Sequence, residues 1–118
     1  ESIKNFINQY GAPIYSYNPN SQEKYYEFHT DKGVLVVTAI GKKNTGYVTR
    51  VSMTYNQANG PTYQQVKQGV GKQAIKRVQY NSVSGNFGYI QNGKTSYQFG
   101  SSSPKDKVLR LYRIDINK

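Results

Sequence analysis

Residues 34–55, with the sequence VLVVTAIGKKNTGYVTRVSMTY, decide the fold. Val34–Ile40 is strongly β-branched and apolar, which favours a central strand. The next six residues, 41–46, begin and end with glycine, as a hairpin loop does. Tyr47–Tyr55 then continues as the following strand. The stretch therefore predicts two neighbouring antiparallel strands in the middle of a sheet.

The residues before this hairpin predict a helix and further strands. Ile3, Phe6, Ile7 and Tyr10 lie at the spacing of one apolar helical face, and Gly11 ends that helix. An extended segment at 14–17 and a partly alternating strand at 24–30 follow. A turn at 31–33 joins that strand to Val34.

The second half of the chain has a similar order. Thr62–Val70 predicts a helix with Thr62 as its cap, and Lys72–Gln79 fits a second short helix through Ala74, Ile75 and Val78. Asn92-Gly93 predicts a tight hairpin between strands at 87–91 and 94–99. Val108–Ile116 is the final strand.

These elements predict one domain over residues 1–118, with half-repeats at about 2–56 and 62–117. An offset of 61 residues aligns the two closing strands, so that Val51 matches Tyr112 and Met53 matches Ile114. The expected fold class is α+β. It is an antiparallel sheet of two α-β-β-β-like halves, with helices 2–10 and 62–79 packed on one face.

The segment Phe6–Pro13, FINQYGAP, is an apolar helix that closes on Gly-x-Pro, and the aromatic strand 24–28 follows it. This order resembles the β-lactamase-inhibitory-protein-like fold, and similar units occur in small bacterial envelope lipoproteins. Residues 66–71 resemble a second copy, without the proline. The resemblance implies a protein-binding or envelope role rather than an enzyme. It does not imply that β-lactamase is the target.

The composition excludes several kinds of chemistry. The chain has no cysteine and one histidine, which removes disulfides, thiol nucleophiles and multi-histidine metal sites. His29 could act as a general base oriented by Glu27 or Asp31, but a histidine at a strand end beside a turn is the simpler interpretation. The six acidic residues form no motif, and no phosphate-binding loop is present. We therefore expect no enzyme, no cofactor and no metal.

Sixteen basic residues against six acidic ones give a net charge of +10. Basic residues alternate with aromatic ones in two clusters, at 72–80 and at 105–113. Such surfaces bind acidic proteins, nucleic acids or anionic polymers and membranes. The longest apolar run is too short to span a bilayer.

Strand alternation suggests which residues make contact. If Val108 and its alternate neighbours face the helices, then Leu109, Leu111, Arg113 and Asp115 face outward, together with Val48, Arg50, Ser52 and Thr54. Aliphatic and arginine side chains together favour an interface. The candidate binding residues are two sheet arginines, two sheet leucines and three loop-tip lysines, namely Arg50, Leu109, Leu111, Arg113, Lys42, Lys43 and Lys105.

The sequence therefore predicts a non-enzymatic, inhibitor-like binding protein that recognises an acidic protein through an open cationic and aromatic sheet face. Nucleic acid is the alternative partner. A cysteine-free, Tyr/Asn/Lys-rich chain suggests an extracellular or cell-surface protein of a Gram-positive bacterium, compatible with a lipid-anchored precursor.

Overall fold

Eight antiparallel strands form a single sheet in the computed structural model, which describes all 118 residues. The strands follow the order β1-β2-β3-β4-β8-β7-β6-β5, so the last strand of each half meets the other at the centre. In chain order the elements are α1 (Ile3–Tyr10), β1 (Ile14–Tyr17), β2 (Glu23–His29), β3 (Gly33–Ile40), β4 (Tyr47–Tyr55), α2 (Tyr63–Gly69), β5 (Ile75–Gln79), β6 (Phe87–Asn92), β7 (Thr95–Gly100) and β8 (Arg110–Asn117).

The predicted α+β class is wrong, because the fold is predominantly β. The two helices have only eight and seven residues. The segment 72–79, predicted as helix, instead contains β5, which pairs with β6 from Ile75 to Gln79. Val70 caps the end of α2, and pairing with β6 decides the conformation of the short apolar run beyond Gly71. Neither helix has the length or apolar character needed to cross a bilayer.

Both helices are defined by their caps. Ser2 accepts a hydrogen bond from the backbone N–H of Lys4, and Gly11 ends α1 with φ of 90°. Thr62 and Gln65 form a reciprocal capping box at the start of α2. These residues therefore set where α1 begins and ends and where α2 begins.

Two separate hydrophobic clusters lie under the helices, both on the same face of the sheet. The first cluster packs Ile3 of α1 on Tyr26, Phe28 and Val37. The second packs Tyr63 of α2 with Ile90, Phe99, Leu109 and Leu111. Side-by-side clusters make the molecule long: its radius of gyration is 16.1 Å, against about 13.5 Å for a compact domain of this length.

The halves make equivalent contacts. Ser2, before α1, bridges Tyr47 at the start of β4, and Thr62, before α2, bridges Arg110 at the start of β8. The matching offset in the closing strands is therefore 63 residues instead of 61. Each half contains four strands rather than the three expected, since β1 and β5 add an outer strand to each.

A β-bulge interrupts β4. Ala39 pairs with Val48. Its neighbour Thr38 pairs with Arg50, so Thr49 is an additional residue in β4. The bulge places Val48 on the helix-bearing face and Arg50 on the opposite one, although the two residues are two positions apart.

A second bulge lies at the equivalent place in β8. Phe99 pairs with Leu111. Its neighbour Gln98 pairs with Arg113, so Tyr112 is the additional residue. Phe99 is completely buried under α2, and therefore Leu111 faces the helix while Arg113 faces away from it.

Candidate binding face

No helix covers the second face of the sheet, which we call the open face. It consists of the alternate strand residues that point away from the two hydrophobic clusters. Tyr89, Gln98, Arg113 and Thr54 form one row of direct neighbours across it. The face is therefore a continuous surface that spans both halves.

The open face carries all four arginines of the chain. Arg50 pairs with Thr38 and Arg77 with Tyr89. The other two, Arg110 and Arg113, lie on β8. Cross-strand partners share a face, and these partners all point away from the buried clusters.

None of the lysines is at an open-face strand position. Only two lysines lie in strands: Lys24 pairs with Ala39, and Lys76 pairs with Ile90. Both partners are buried on the helix-bearing face. The remaining ten lysines lie in helices, loops or the C-terminus. The arginines therefore lie on the open face, and the two strand lysines lie on the helix-bearing face.

Asp115 is the centre of a charged cluster on the open face. Its side chain is only 6% exposed. Arg113 donates from Nε to Oδ2 and from Nη2 to Oδ1, each at 3.1 Å. Arg50 donates from Nη2 to Oδ1 at 3.4 Å, and Gln98 donates from Nε2 to Oδ2 at 3.4 Å. The cluster holds two guanidinium groups on one carboxylate and keeps one net positive charge.

The surroundings of Asp115 hold its pKa below the usual range. Burial is the largest single influence and opposes ionisation. The Ser52 hydroxyl, the hydrogen bonds from Arg113 and the charges of Arg113 and Arg50 together outweigh it. The carboxylate is therefore ionised at neutral pH and fixes both arginines.

The cluster lies on the approximate two-fold axis that relates the halves. Ser52 and Asp115 are direct partners between β4 and β8, and the 63-residue offset makes each the equivalent of the other. The same offset relates Arg50 to Arg113. The two arginines therefore approach one carboxylate from the two halves of the sheet.

Hydrogen bonds extend the cluster towards β6. Tyr112 donates its hydroxyl hydrogen to Gln98 Oε1 at 3.2 Å. Tyr89 donates to Gln91 Oε1 at 2.9 Å and lies between Arg77 and Gln98 in the sheet. These contacts hold aromatic and guanidinium groups side by side on the C-terminal half of the face.

The predicted outward placement of two candidate residues is wrong. Leu109 and Leu111 are 4% and 5% exposed and belong to the cluster under α2. The bulge at Tyr112 explains the error, since simple alternation would put Leu111 and Arg113 on one face. Arg50 and Arg113 do lie on the open face, as expected.

The three candidate lysines lie apart from the arginine cluster. Lys42 and Lys43 are in the β3–β4 loop, and Lys43 Nζ lies 4.5 Å from the ring centre of Tyr15. Tyr15 packs against the first hydrophobic cluster, so this loop curls towards the helix-bearing side. Lys105 is exposed in the loop before β8. The rim predicted from these lysines does not surround the arginines.

The basic and aromatic clusters of the sequence are divided between the faces. Lys107 Nζ, from the second cluster, lies 5.9 Å from the ring centre of Tyr80, from the first cluster. Arg77 and Arg110 instead face the open side. Sequence reasoning left Arg77 and Arg110 out of the candidate site, although the alternation of β5 would have found Arg77 had the segment been recognised as a strand.

His29 pairs with a carboxylate on the surface. Its Nε2 lies 2.6 Å from Glu27 Oε2, and the histidine side chain is 61% exposed. No hydrogen bond joins His29 to Asp31, the other proposed partner. This is the arrangement expected of an exposed residue at a strand end.

These features define a class: an antiparallel-sheet protein of two helix-capped halves that presents an arginine-bearing open face. The model of the SA0570-like family matches residues 1–117, and the chain therefore belongs to that family. No curated protein and no solved structure matches the chain.

Proposed function

We propose that this protein is a non-enzymatic binding protein that recognises an acidic protein through its open face. The observation that carries the proposal is the segregation of all four arginines onto that face, with no lysine among its strand positions. Guanidinium groups bind carboxylates through two parallel hydrogen bonds, which lysine cannot do.

Asp115 supports the proposal because it orders the cations before a partner arrives. A guanidinium held by a buried carboxylate has already lost side-chain freedom, so binding costs less entropy. The Arg50 and Arg113 side chains are still 47% and 37% exposed. Each can therefore offer its remaining N–H groups to an incoming carboxylate.

The lysines would act at longer range. The net charge of +10 attracts an acidic partner and speeds its approach. The arginines and the tyrosines of the open face would then form the contacts that last. Leu109 and Leu111 take no part in this mechanism, because they are buried in the second hydrophobic cluster.

Nucleic acid is the second candidate partner. Tyr89 is a direct neighbour of Arg77 on the open face, and an aromatic ring beside a guanidinium group also suits a stacked base and its phosphate. We further propose an extracellular or cell-surface location, on the cysteine-free composition. Detection of the protein in the culture medium or on intact cells of its source tests the location.

The binding proposal is tested with a double variant and a charge-matched control. R50Q/R110Q removes two open-face charges and leaves Arg113 on Asp115, whereas K4Q/K72Q removes two charges elsewhere. The probe is immobilised poly-L-glutamate, measured by biolayer interferometry at low and moderate salt. We expect about tenfold weaker binding for R50Q/R110Q and less than about threefold for K4Q/K72Q.

Equal losses in the two variants would mean that only net charge matters, and would refute the open face as the site. Tighter binding to oligothymidylate than to poly-L-glutamate, lost selectively in R50Q/R110Q, would replace the acidic protein with nucleic acid. Intact folding of both variants is verified by their thermal melting.

A further inference from the structure

Strand β5 leaves one side of its backbone without a strand partner. It is the last strand in the sheet and pairs only with β6. Four of its five residues are exposed. An edge strand presents unpaired N–H and C=O groups, which a further strand can use.

The other edge of the sheet is protected in a way that β5 is not. β1 has only four residues, and Pro13 and Pro19 lie close to its two ends. Proline cannot donate to a ladder and shortens the available edge. No proline occurs between Pro61 and Pro104, a stretch that includes β5 and its only partner strand, β6.

The charges on β5 discriminate between partners. Lys76 and Arg77 are adjacent, so they point to opposite faces of the sheet. No acidic residue occurs from 32 to 105, and β5, β6 and β7 are therefore free of carboxylates. A second copy of β5 would bring like charges together, whereas an acidic strand would meet opposite charges on both faces.

A shallow groove with apolar and cationic lining lies over β5 and β6, next to this edge. It has a volume of about 600 Å³, and its lining includes Lys76, Arg77, Val78 and Phe87. Val78 is 40% exposed and Phe87 is 38% exposed, on opposite faces. An extended segment with acidic and apolar side chains on both of its faces fits these charges and the groove.

We propose that the β5 edge binds an extended acidic segment of the partner as a ninth strand. This inference rests on the proposed function and specifies how the acidic partner docks. Backbone hydrogen bonds to β5 supply affinity, and Lys76, Arg77 and Val78 select acidic and apolar side chains. The edge repels a second copy of the chain, so it stays open for this partner.

The probe is an end-capped eight-residue peptide in which pairs of glutamates alternate with pairs of valines, so that each face of the bound strand carries both kinds of side chain. Its control is the same peptide methylated at every backbone nitrogen, which keeps the charge but cannot pair with a strand. We expect the unmodified peptide to bind, to slow hydrogen exchange in β5, and to bind at least about tenfold more tightly than the control. Equal binding of the two peptides would overturn the proposal.

Two lysine variants provide the matched test on the protein. Lys76 and Lys24 are the only strand lysines and are both half-buried on the helix-bearing face, but Lys24 is in β2, which pairs with a strand on each side. K76E should weaken peptide binding about tenfold and K24E less than about threefold. Equal effects of both would refute the edge as the site. If R50Q/R110Q lowers binding of both peptides and K76E of neither, the open face survives and the β5 edge does not.

Discussion

Replacing Asp115 with asparagine should destabilise the protein more than its modest change in shape suggests. The side chain is 6% exposed and accepts hydrogen bonds from Arg113, Arg50 and Gln98. D115N keeps the volume but removes the negative charge. Two guanidinium groups would then lie close together over a neutral amide.

The magnitude follows from the exposure of the partners. A hydrogen bond to a charged group contributes about 1.5–3 kcal/mol, and losing one partner of a fully buried pair costs about 3–5 kcal/mol. The Arg113 and Arg50 side chains are 37% and 47% exposed, so solvent screens them. We therefore expect D115N to lower the free energy of unfolding by about 2 kcal/mol, and the melting temperature by about 8 °C.

The loss should depend on pH. The pKa of Asp115 is lower in the folded protein than in the unfolded chain, so its ionised form favours folding. That contribution is complete above the unfolded pKa of about 4 and disappears as the pH falls through the folded value. The difference between wild type and D115N should be constant from pH 7 to pH 5 and should shrink below pH 4.

Urea denaturation at pH 7, 5, 4 and 3 measures this difference. D31N is the matched control, because Asp31 is exposed and its carboxylate takes part in no ion pair. D31N should change the free energy of unfolding by less than about 0.5 kcal/mol. If D115N behaved like D31N at pH 7, or kept its full deficit at pH 3, the role assigned to the buried carboxylate would be incorrect.

Three further substitutions test the packing that positions the open face. Leu111→Ala removes a buried side chain from the second cluster and should cost about 2–4 kcal/mol in urea denaturation; a loss under 1 kcal/mol would contradict the bulge geometry. Gly33→Ala would put a Cβ into the carbonyl oxygen of Thr54, so we expect a loss of about 3 kcal/mol or reduced soluble yield, and wild-type melting would argue against this strand pairing. Tyr26→Phe removes the acceptor for the Asn44 backbone N–H and should cost about 1 kcal/mol, with faster exchange of that amide as the specific sign.

Local patterns were sufficient to predict most of the strands. Tyr47–Tyr55 was predicted with the bounds that β4 has. The predicted hairpin between β6 and β7 is also present, although its turn residues are Gly93 and Lys94 rather than Asn92 and Gly93. Both signals lie in the residues themselves: branched side chains in one case and a turn dipeptide in the other. The helical interpretation of 72–79 failed because three apolar residues fit either period, and only pairing with β6 selects the strand.

The candidate site was less predictable than the strands, because bulges determine which face a residue takes. Arg50 and Arg113 were placed on the open face correctly, but Leu109 and Leu111 were not. The additional residue at Tyr112 becomes visible only when Gln98 and Phe99 are matched with their partners across the sheet. These partners lie 12 and 15 positions apart in the chain, so their register is a property of tertiary structure.

The approximate symmetry explains why the central cluster has an unequal charge. A residue on the axis between β4 and β8 faces its own equivalent, and two aspartates there would place like charges directly opposite each other. Ser52 faces Asp115 instead, and its hydroxyl group stabilises the carboxylate. Arg50 and Arg113 lie off the axis and do not face each other, so both halves can carry an arginine at this position. One carboxylate thus orders two arginines, and the single positive charge that remains is where an acidic group of the partner would bind.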